Sequence, residues 1–133
     1  MIIPCEVAVR SVVPAVRALL AKELVEKYNM KQNQVAEILG LSQSAVSKYT
    51  TETRGYVIKI EYVQEIQTPV EDMIALLINK KYERTDFLKL FCQACTIIRN
   101  KALMCKFCHK ADPTVEIGEC DLCLAHLNSR KKK

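Results

Sequence analysis

Apolar residues recur every three or four positions along most of the chain, which is the period of an amphipathic helix. The pattern predicts a helix from Pro14 to Tyr28, because a proline in the first turn has no hydrogen bond to lose there. A shorter helix is predicted from Pro4 to Ser11, in which Cys5 is interpreted as a small buried hydrophobe, with a metal-ligand role as the alternative. The longer helix is expected to be the scaffold of the N-terminal half, through the stripe Val16, Leu19, Leu20, Glu23, Leu24 and Lys27.

Residues 56–67 carry a pattern that fits two structures. Ile58, Ile60 and Tyr62 alternate with charged residues, as in a strand. Ile58, Tyr62 and Ile66 have the four-residue spacing of a helix. The sequence therefore leaves both structures open for this stretch.

The next helix is predicted from its start signals. Thr68, Pro69 and Glu71 combine an N-cap, a proline at the first helical position and the glutamate of a capping box. They predict a helix from Pro69 to about Tyr82. It is expected to pack through Met73, Ile74, Leu77 and Ile78.

A further helix is predicted to begin at Thr85 or Asp86 and to run into the first cysteine pair of the C-terminal region. Core packing is the default for its apolar residues, and contact with a second copy of the chain is the alternative. These residues are Phe87, Leu88, Leu90 and Phe91. The predicted fold class is therefore all-α for most of the chain.

Residues 32–51, QNQVAEILGLSQSAVSKYTT, predict two short helices joined by a tight turn. Ala36 is small, as required where two helices cross closely, and Gly40 stands in the turn, where the backbone needs a positive φ. Val46 lies on the buried side of the second helix, and Ser42 is its N-cap. The other apolar positions of the motif are filled by Val35, Leu39, Leu41 and Tyr49.

A plain helical hairpin would explain those apolar positions but not the short polar side chains on the opposite face. These are Gln43, Ser44, Ser47 and Lys48. At these residues the stretch resembles the Cro/CI-type helix-turn-helix of phage repressors and their cellular relatives.

The resemblance implies that the second helix lies in the major groove of double-stranded DNA, with Gln43 and Ser44 facing base edges and Ser47 and Lys48 along the helix. It also implies that Gln32 touches phosphate and braces its neighbour. The amide of Gln43 matches the N6 and N7 atoms of adenine. Ser42 and Arg54 complete the set of predicted DNA-binding residues, with Arg54 in a loop that passes a phosphate.

Six of the seven cysteines form three CxxC pairs in the C-terminal region. Thiolates at this spacing can converge on one metal ion, and two pairs complete a tetrahedral site, so that a third pair or His109 is left over. Reduced core cysteines are the alternative. The predicted ligands are Cys92, Cys95, Cys105, Cys108, Cys120 and Cys123.

The identity of the metal is left open between an iron–sulfur cluster of the 4Fe–4S type and Zn²⁺. A zinc ribbon usually has a small residue after each pair, whereas Thr96, His109 and Leu124 follow the pairs here. Apolar residues surround the pairs and suit a cluster that is shielded from water, which favours iron–sulfur.

The chain also resembles a group of small archaeal predicted transcriptional regulators. The resemblance rests on PCEVAVRSVVPAVRALLAKELVEKY near the N-terminus and on the CxxC, C and CxxC arrangement near the C-terminus. It implies a ligand role for the outer pairs first and for Cys105 next, while Cys108 and His109 compete for the remaining role. The outer pairs are Cys92, Cys95, Cys120 and Cys123.

The net charge of +5 over 133 residues suits a polyanionic partner, yet residues 31–55 have a net charge of only +1. DNA affinity should therefore depend on geometry, on two paired copies and on flanking basic residues such as Arg10, Arg17 and Arg54. We expect a homodimer on a near-palindromic operator. A chain without an export signal or a membrane-length apolar stretch is expected to be cytoplasmic. Because no nucleophile with a base, paired carboxylates or phosphate-cradling loop is found, we expect no enzyme activity.

These expectations divide the chain into a helix-turn-helix domain (1–55), a helical linker or dimerisation region (56–91), a cysteine-rich module (92–124) and a basic tail (125–133). The expected function is a transcriptional regulator whose cysteine module senses redox or metal status. The alternative is a zinc-stabilised interaction module that binds RNA or a transcription or translation factor.

Overall fold

The computed structural model describes residues 3–51, 58–116 and 123. These residues form helices and connecting turns without any strand, which confirms the predicted all-α class. The helices are α1 (Pro4–Arg10), α2 (Val12–Glu26), α3 (Gln32–Leu39), α4 (Gln43–Thr50), α5 (Gln67–Asn79), α6 (Arg84–Asn100) and α7 (Cys105–Ala111), with a 3₁₀ turn at Gln64–Ile66.

Helix α2 is the centre of the fold, since α1, α3, α4, α5 and α6 all pack against it. Val12, Val16 and Leu24 are completely buried along its length. The helix begins two residues before the predicted Pro14 and ends at Glu26 rather than Tyr28. The scaffold role predicted for this segment is thus confirmed, and its bounds are corrected.

Cys5 is exposed on helix α1, so the prediction of a buried Cys5 is wrong. The residues that α1 buries are Val7 and Ala8. Turning that face inwards leaves Cys5 and Val9 on the outer side of a two-turn helix. The buried Ser11 between α1 and α2 donates its hydroxyl to the Val7 carbonyl at 2.7 Å and so fixes the corner.

The ambiguous stretch before α5 is neither a strand nor a long helix in its described part. Ile58 and Ile60 are buried in an irregular segment, and the 3₁₀ turn continues directly into α5. Because α5 begins at Gln67, Thr68 lies inside the first turn, and its predicted N-cap role is wrong. Pro69 is still tolerated there, since the first-turn amides have no helical partner.

Helix α5 buries Met73, Ile74 and Leu77 as predicted, but Ile78 keeps 42% of its surface exposed. The helix ends at Asn79, three residues before the predicted Tyr82, because Lys80 adopts a left-handed conformation with φ 58°.

Helix α6 begins at Arg84 and runs through the first cysteine pair to Asn100, so the predicted boundary between residues 91 and 92 falls inside it. It packs on α5 and α2 and buries Ala94 and Ile98. Of its predicted apolar residues, Phe87, Leu90 and Phe91 are half-buried against the core, whereas Leu88 is exposed.

Candidate DNA-binding surface and cysteine cluster

The turn between α3 and α4 has the backbone geometry that its sequence predicts. Gly40 has φ 66° and ψ 33°, and the following Leu41 amide donates to the Ala36 carbonyl at 2.9 Å. A Cβ atom at Gly40 would meet nothing within 4 Å, so glycine is needed for its backbone conformation and not for space.

Ser42 caps the start of α4, as predicted. Its Oγ accepts a hydrogen bond from the Ala45 amide at 3.0 Å, which satisfies one of the unpaired amides of the first turn. At the start of α3, the Lys31 amide donates to Oε1 of Gln34 at 3.0 Å. Both helices of the pair therefore have defined beginnings.

Helices α3 and α4 pack closely, and a hydrogen bond joins the start of α3 to the end of α4. Ala36 is buried at the crossing, and Val46 is completely buried on the inner side of α4. Gln32 donates from Nε2 to the Thr50 hydroxyl at 3.3 Å, which joins the start of α3 to the end of α4. The bracing of a neighbour and the phosphate contact that the resemblance implied for Gln32 both stay predictions.

The outer face of α4 presents the predicted polar side chains. Gln43, Ser44 and Lys48 are exposed, and Ser47 is half-buried. The carbonyl of Ser47 accepts hydrogen bonds from the Thr50 and Thr51 hydroxyls. Such a face offers hydrogen-bonding groups of the kind that contact base edges and phosphates in a groove. Arg54, the other predicted phosphate contact, lies outside the described residues.

The C-terminal cysteines belong to three segments of the described structure. Cys92 and Cys95 are one turn apart on α6, with Cys92 exposed and Cys95 half-buried. Cys105 and Cys108 lie half-buried on the short helix α7. Cys123 is also half-buried and packs against the core. Cys120 lies outside the described residues.

Arg99 interacts with cysteines from two of these segments, Cys95 and Cys123. Its Nε donates to the Sγ of Cys123 at 3.3 Å. Burial would lower the pKa of Arg99, but the hydrogen bond to Cys123 and the charges of Cys123, Cys95 and Cys5 outweigh it and raise that pKa. Burial raises the pKa of the Cys95 thiol, against the opposing charge of Arg99.

Cys5 is the residue that the sequence-based interpretation missed. It interacts electrostatically with Cys95 and Arg99, and α1 packs against α7. Cys5 therefore lies near the C-terminal cysteines although it has no CxxC partner. No local pattern around Cys5 could have indicated this, because it results from a contact between the two ends of the chain.

His109, the competing candidate ligand, is held by its own segment. Its Nδ1 lies 2.7 Å from the Val115 carbonyl, a contact that needs a proton on Nδ1. That tautomer leaves the Nε2 lone pair as the one that could bind a metal.

The predicted metal site is not assembled in the described part of the chain. Across residues 3–51, 58–116 and 123, no group of three or more His, Cys, Asp or Glu side chains is arranged to hold a metal ion. Cys95 and Cys123 both interact with Arg99, but the described members of the predicted ligand set do not form one metal site.

A helix-turn-helix family model matches residues 22–66, from the C-terminal part of α2 to the 3₁₀ turn. The match supports a Cro/CI-type helix-turn-helix and a DNA-binding role in transcription regulation. No curated protein and no solved structure shows significant similarity to the chain. None of the described helices is both long enough and apolar enough to cross a membrane.

Proposed function

We propose that the chain is a sequence-specific transcription regulator that reads double-stranded DNA with α4. The observation that carries this proposal is the division of α4 into two faces. Val46 and Tyr49 are buried against the domain, while Gln43, Ser44 and Lys48 are exposed on the outer face. A helix held in this way can enter the major groove without losing its packing.

Individual roles follow from the chemistry of these side chains. Gln43, at the N-terminal end of α4, contacts adenine through both atoms of its amide. Ser44 contacts a neighbouring base edge, and Ser47 and Lys48 contact bases or phosphates farther along the helix. Arg54 contacts phosphate without reading sequence.

A homodimer on a near-palindromic operator completes the proposal. One recognition helix covers few base pairs, and the motif carries a net charge of only +1. Non-specific attraction to phosphate therefore cannot supply the affinity of a single copy. Two copies on one side of the duplex would supply both affinity and specificity.

The cysteine region supplies the proposed control. We infer that its cysteines bind a 4Fe–4S cluster or Zn²⁺, and that loss of this group reports oxidant or metal status to the DNA-binding half. The three CxxC pairs support this inference, because thiolates are the preferred ligands of both groups. Binding would require thiolates from α6, α7 and the segment of Cys123 to converge on one group, which links that group to the arrangement of α6 and α7.

The DNA-binding proposal is tested by measuring binding of the full chain to its own promoter DNA and to structured RNA of equal charge. Preference for the duplex, retained in the presence of excess random DNA, is the expected result. Preference for the RNA would contradict the proposal and would favour the interaction module. Anaerobic purification with metal analysis and an absorbance spectrum tests the cysteine proposal separately.

A further inference from the structure

A cavity of about 480 Å³ lies between α3 and the C-terminal end of α5, and we call it the α3–α5 cavity. Its size is within the range of small-molecule sites. Both helices pack on α2, so the cavity is held between two elements that share one support. Its apolar lining comes from Met30, Ile38, Leu77 and Ile78.

Two residues of opposite charge, Glu37 on α3 and Lys80 after α5, also line the α3–α5 cavity. Neither Glu37 nor Lys80 forms an ion pair with another residue among 3–51, 58–116 and 123. A ligand with one negative and one positive group could therefore pair with both residues without displacing an existing partner.

The left-handed conformation of Lys80 ends α5 at the cavity. Lys80 is the C-cap of α5 and has φ 58°. Glycine would adopt this conformation with less strain than lysine. The lysine side chain follows the last turn of α5, where it lines the α3–α5 cavity.

We propose that the α3–α5 cavity binds a small zwitterionic ligand with an apolar body, of the class of the apolar amino acids. Lys80 pairs with its carboxylate, Glu37 pairs with its ammonium group, and the apolar side chain lies against Ile38 and Leu77. Because Glu37 and Ile38 belong to α3, the ligand contacts the first helix of the helix-turn-helix pair. The regulatory consequence, a change in operator affinity, rests on the proposed DNA-binding function, whereas the binding itself does not.

Calorimetry on the full chain tests this proposal with L-leucine and two analogues as probes. Leucinamide lacks the carboxylate, and 4-methylpentanoate lacks the ammonium group. We expect saturable binding of leucine, and binding of each analogue that is weaker by about fivefold. Leucine binding that weakens as the protein concentration rises would indicate that a second copy occupies the cavity, and would overturn the proposal.

Two variants assign the charges. Lys80→Gly should bind leucine and leucinamide equally, and Glu37→Gln should bind leucine and 4-methylpentanoate equally. Lys80→Gly also removes the strain at φ 58°, so its Tm should not fall, which separates lost binding from lost folding. Lys81→Gly and Glu71→Gln are matched controls, because both residues are exposed and neither lines the cavity.

Two results overturn the proposal: no saturable leucine binding by the wild-type chain, or leucine binding that neither variant changes. Leucine binding without any DNA binding would leave this inference standing and would reject the proposed function. Operator binding by a chain that does not bind leucine would do the reverse.

Discussion

The helix-turn-helix segment and the cysteine region were both predicted from residue spacing, but only the first is complete in the described structure. Gly40 adopts the positive φ, and Ser42 makes the N-cap hydrogen bond, that their positions predict. The cysteines are distributed over α6, α7 and residue 123, without forming a metal site among the described residues. The spacing in the helix-turn-helix segment predicts backbone geometry, which forms within twenty residues of chain. The spacing of the cysteine pairs predicts that they prefer a metal ion or cluster, but it does not predict where in the fold the pairs lie.

The largest expected effect tests whether the two regions depend on one core. Val46→Asp places a carboxylate at a completely buried position of α4 and should destabilise the fold by about 4 kcal/mol or more. Because α2 supports α4 as well as α5 and α6, we expect helicity to be lost throughout the chain and not only in the N-terminal half.

Circular dichroism during thermal unfolding measures this effect. Ser44→Asp is the matched control, since Ser44 is exposed on the same helix and its Tm should change little. If Val46→Asp protein kept the helicity of α5 and α6, the C-terminal half would fold alone. The claim that the two regions depend on one core would then be wrong.

The recognition role of the helix-turn-helix segment gives the next largest effect. Gln43→Ala should reduce discrimination at one base pair of each half-site by about 1 to 3 kcal/mol, because the amide no longer pairs with adenine. Competition between operators that differ at single positions measures this loss. The comparison variant is Arg54→Ala, which should weaken binding to all sequences alike. Equal losses for Gln43→Ala on every sequence would reject Gln43 as a base reader.

A smaller effect tests the local contacts that make the helix-turn-helix segment predictable. Ser42→Ala removes the acceptor for the Ala45 amide and should lower the free energy of unfolding by about 1 kcal/mol. Ser44→Ala, two residues later on the exposed face, should be close to neutral. Urea denaturation of both variants measures the difference. Identical stabilities would mean that the cap does not contribute to the fold.

The smallest expected effect lies between the two regions. Lys101 Nζ lies 2.7 Å from Oε1 of Glu65, and this hydrogen bond lowers the pKa of the Glu65 carboxyl. A lowered pKa in the folded state adds stability above the ordinary value of 4.5, and that stability is lost as pH falls through the folded-state pKa. Because Glu65 is solvent-exposed, the contribution should be too small to move Tm measurably.

Titration of the Glu65 carboxyl by NMR is the appropriate measurement. In Lys101→Met the pKa should rise towards its ordinary value, while Lys106→Met, a change at another exposed lysine, should leave it unchanged. A Glu65 pKa that did not respond to Lys101→Met would show that the two residues are not paired in solution.

The sequence predicted most of the helical architecture because the apolar period and the turn signals act over a few residues. It failed where distant contacts decide the outcome. Thr68 has the sequence features of an N-cap, yet α5 begins one residue earlier, at Gln67, directly after the buried Ile66 of the 3₁₀ turn. Cys5 was expected inside because small cysteines are often buried, but Val7 and Ala8 take the inner face of α1. The α3–α5 cavity could not be predicted either, since it lies between segments about forty residues apart.

The most direct test of the central claim is selection of duplexes from a random pool by the full chain, followed by sequencing. We expect a near-palindromic consensus with half-sites about one helical turn apart, and loss of preference at one position of each half-site in Gln43→Ala. Enrichment of no sequence, or a consensus that Gln43→Ala does not alter, would contradict DNA recognition through α4.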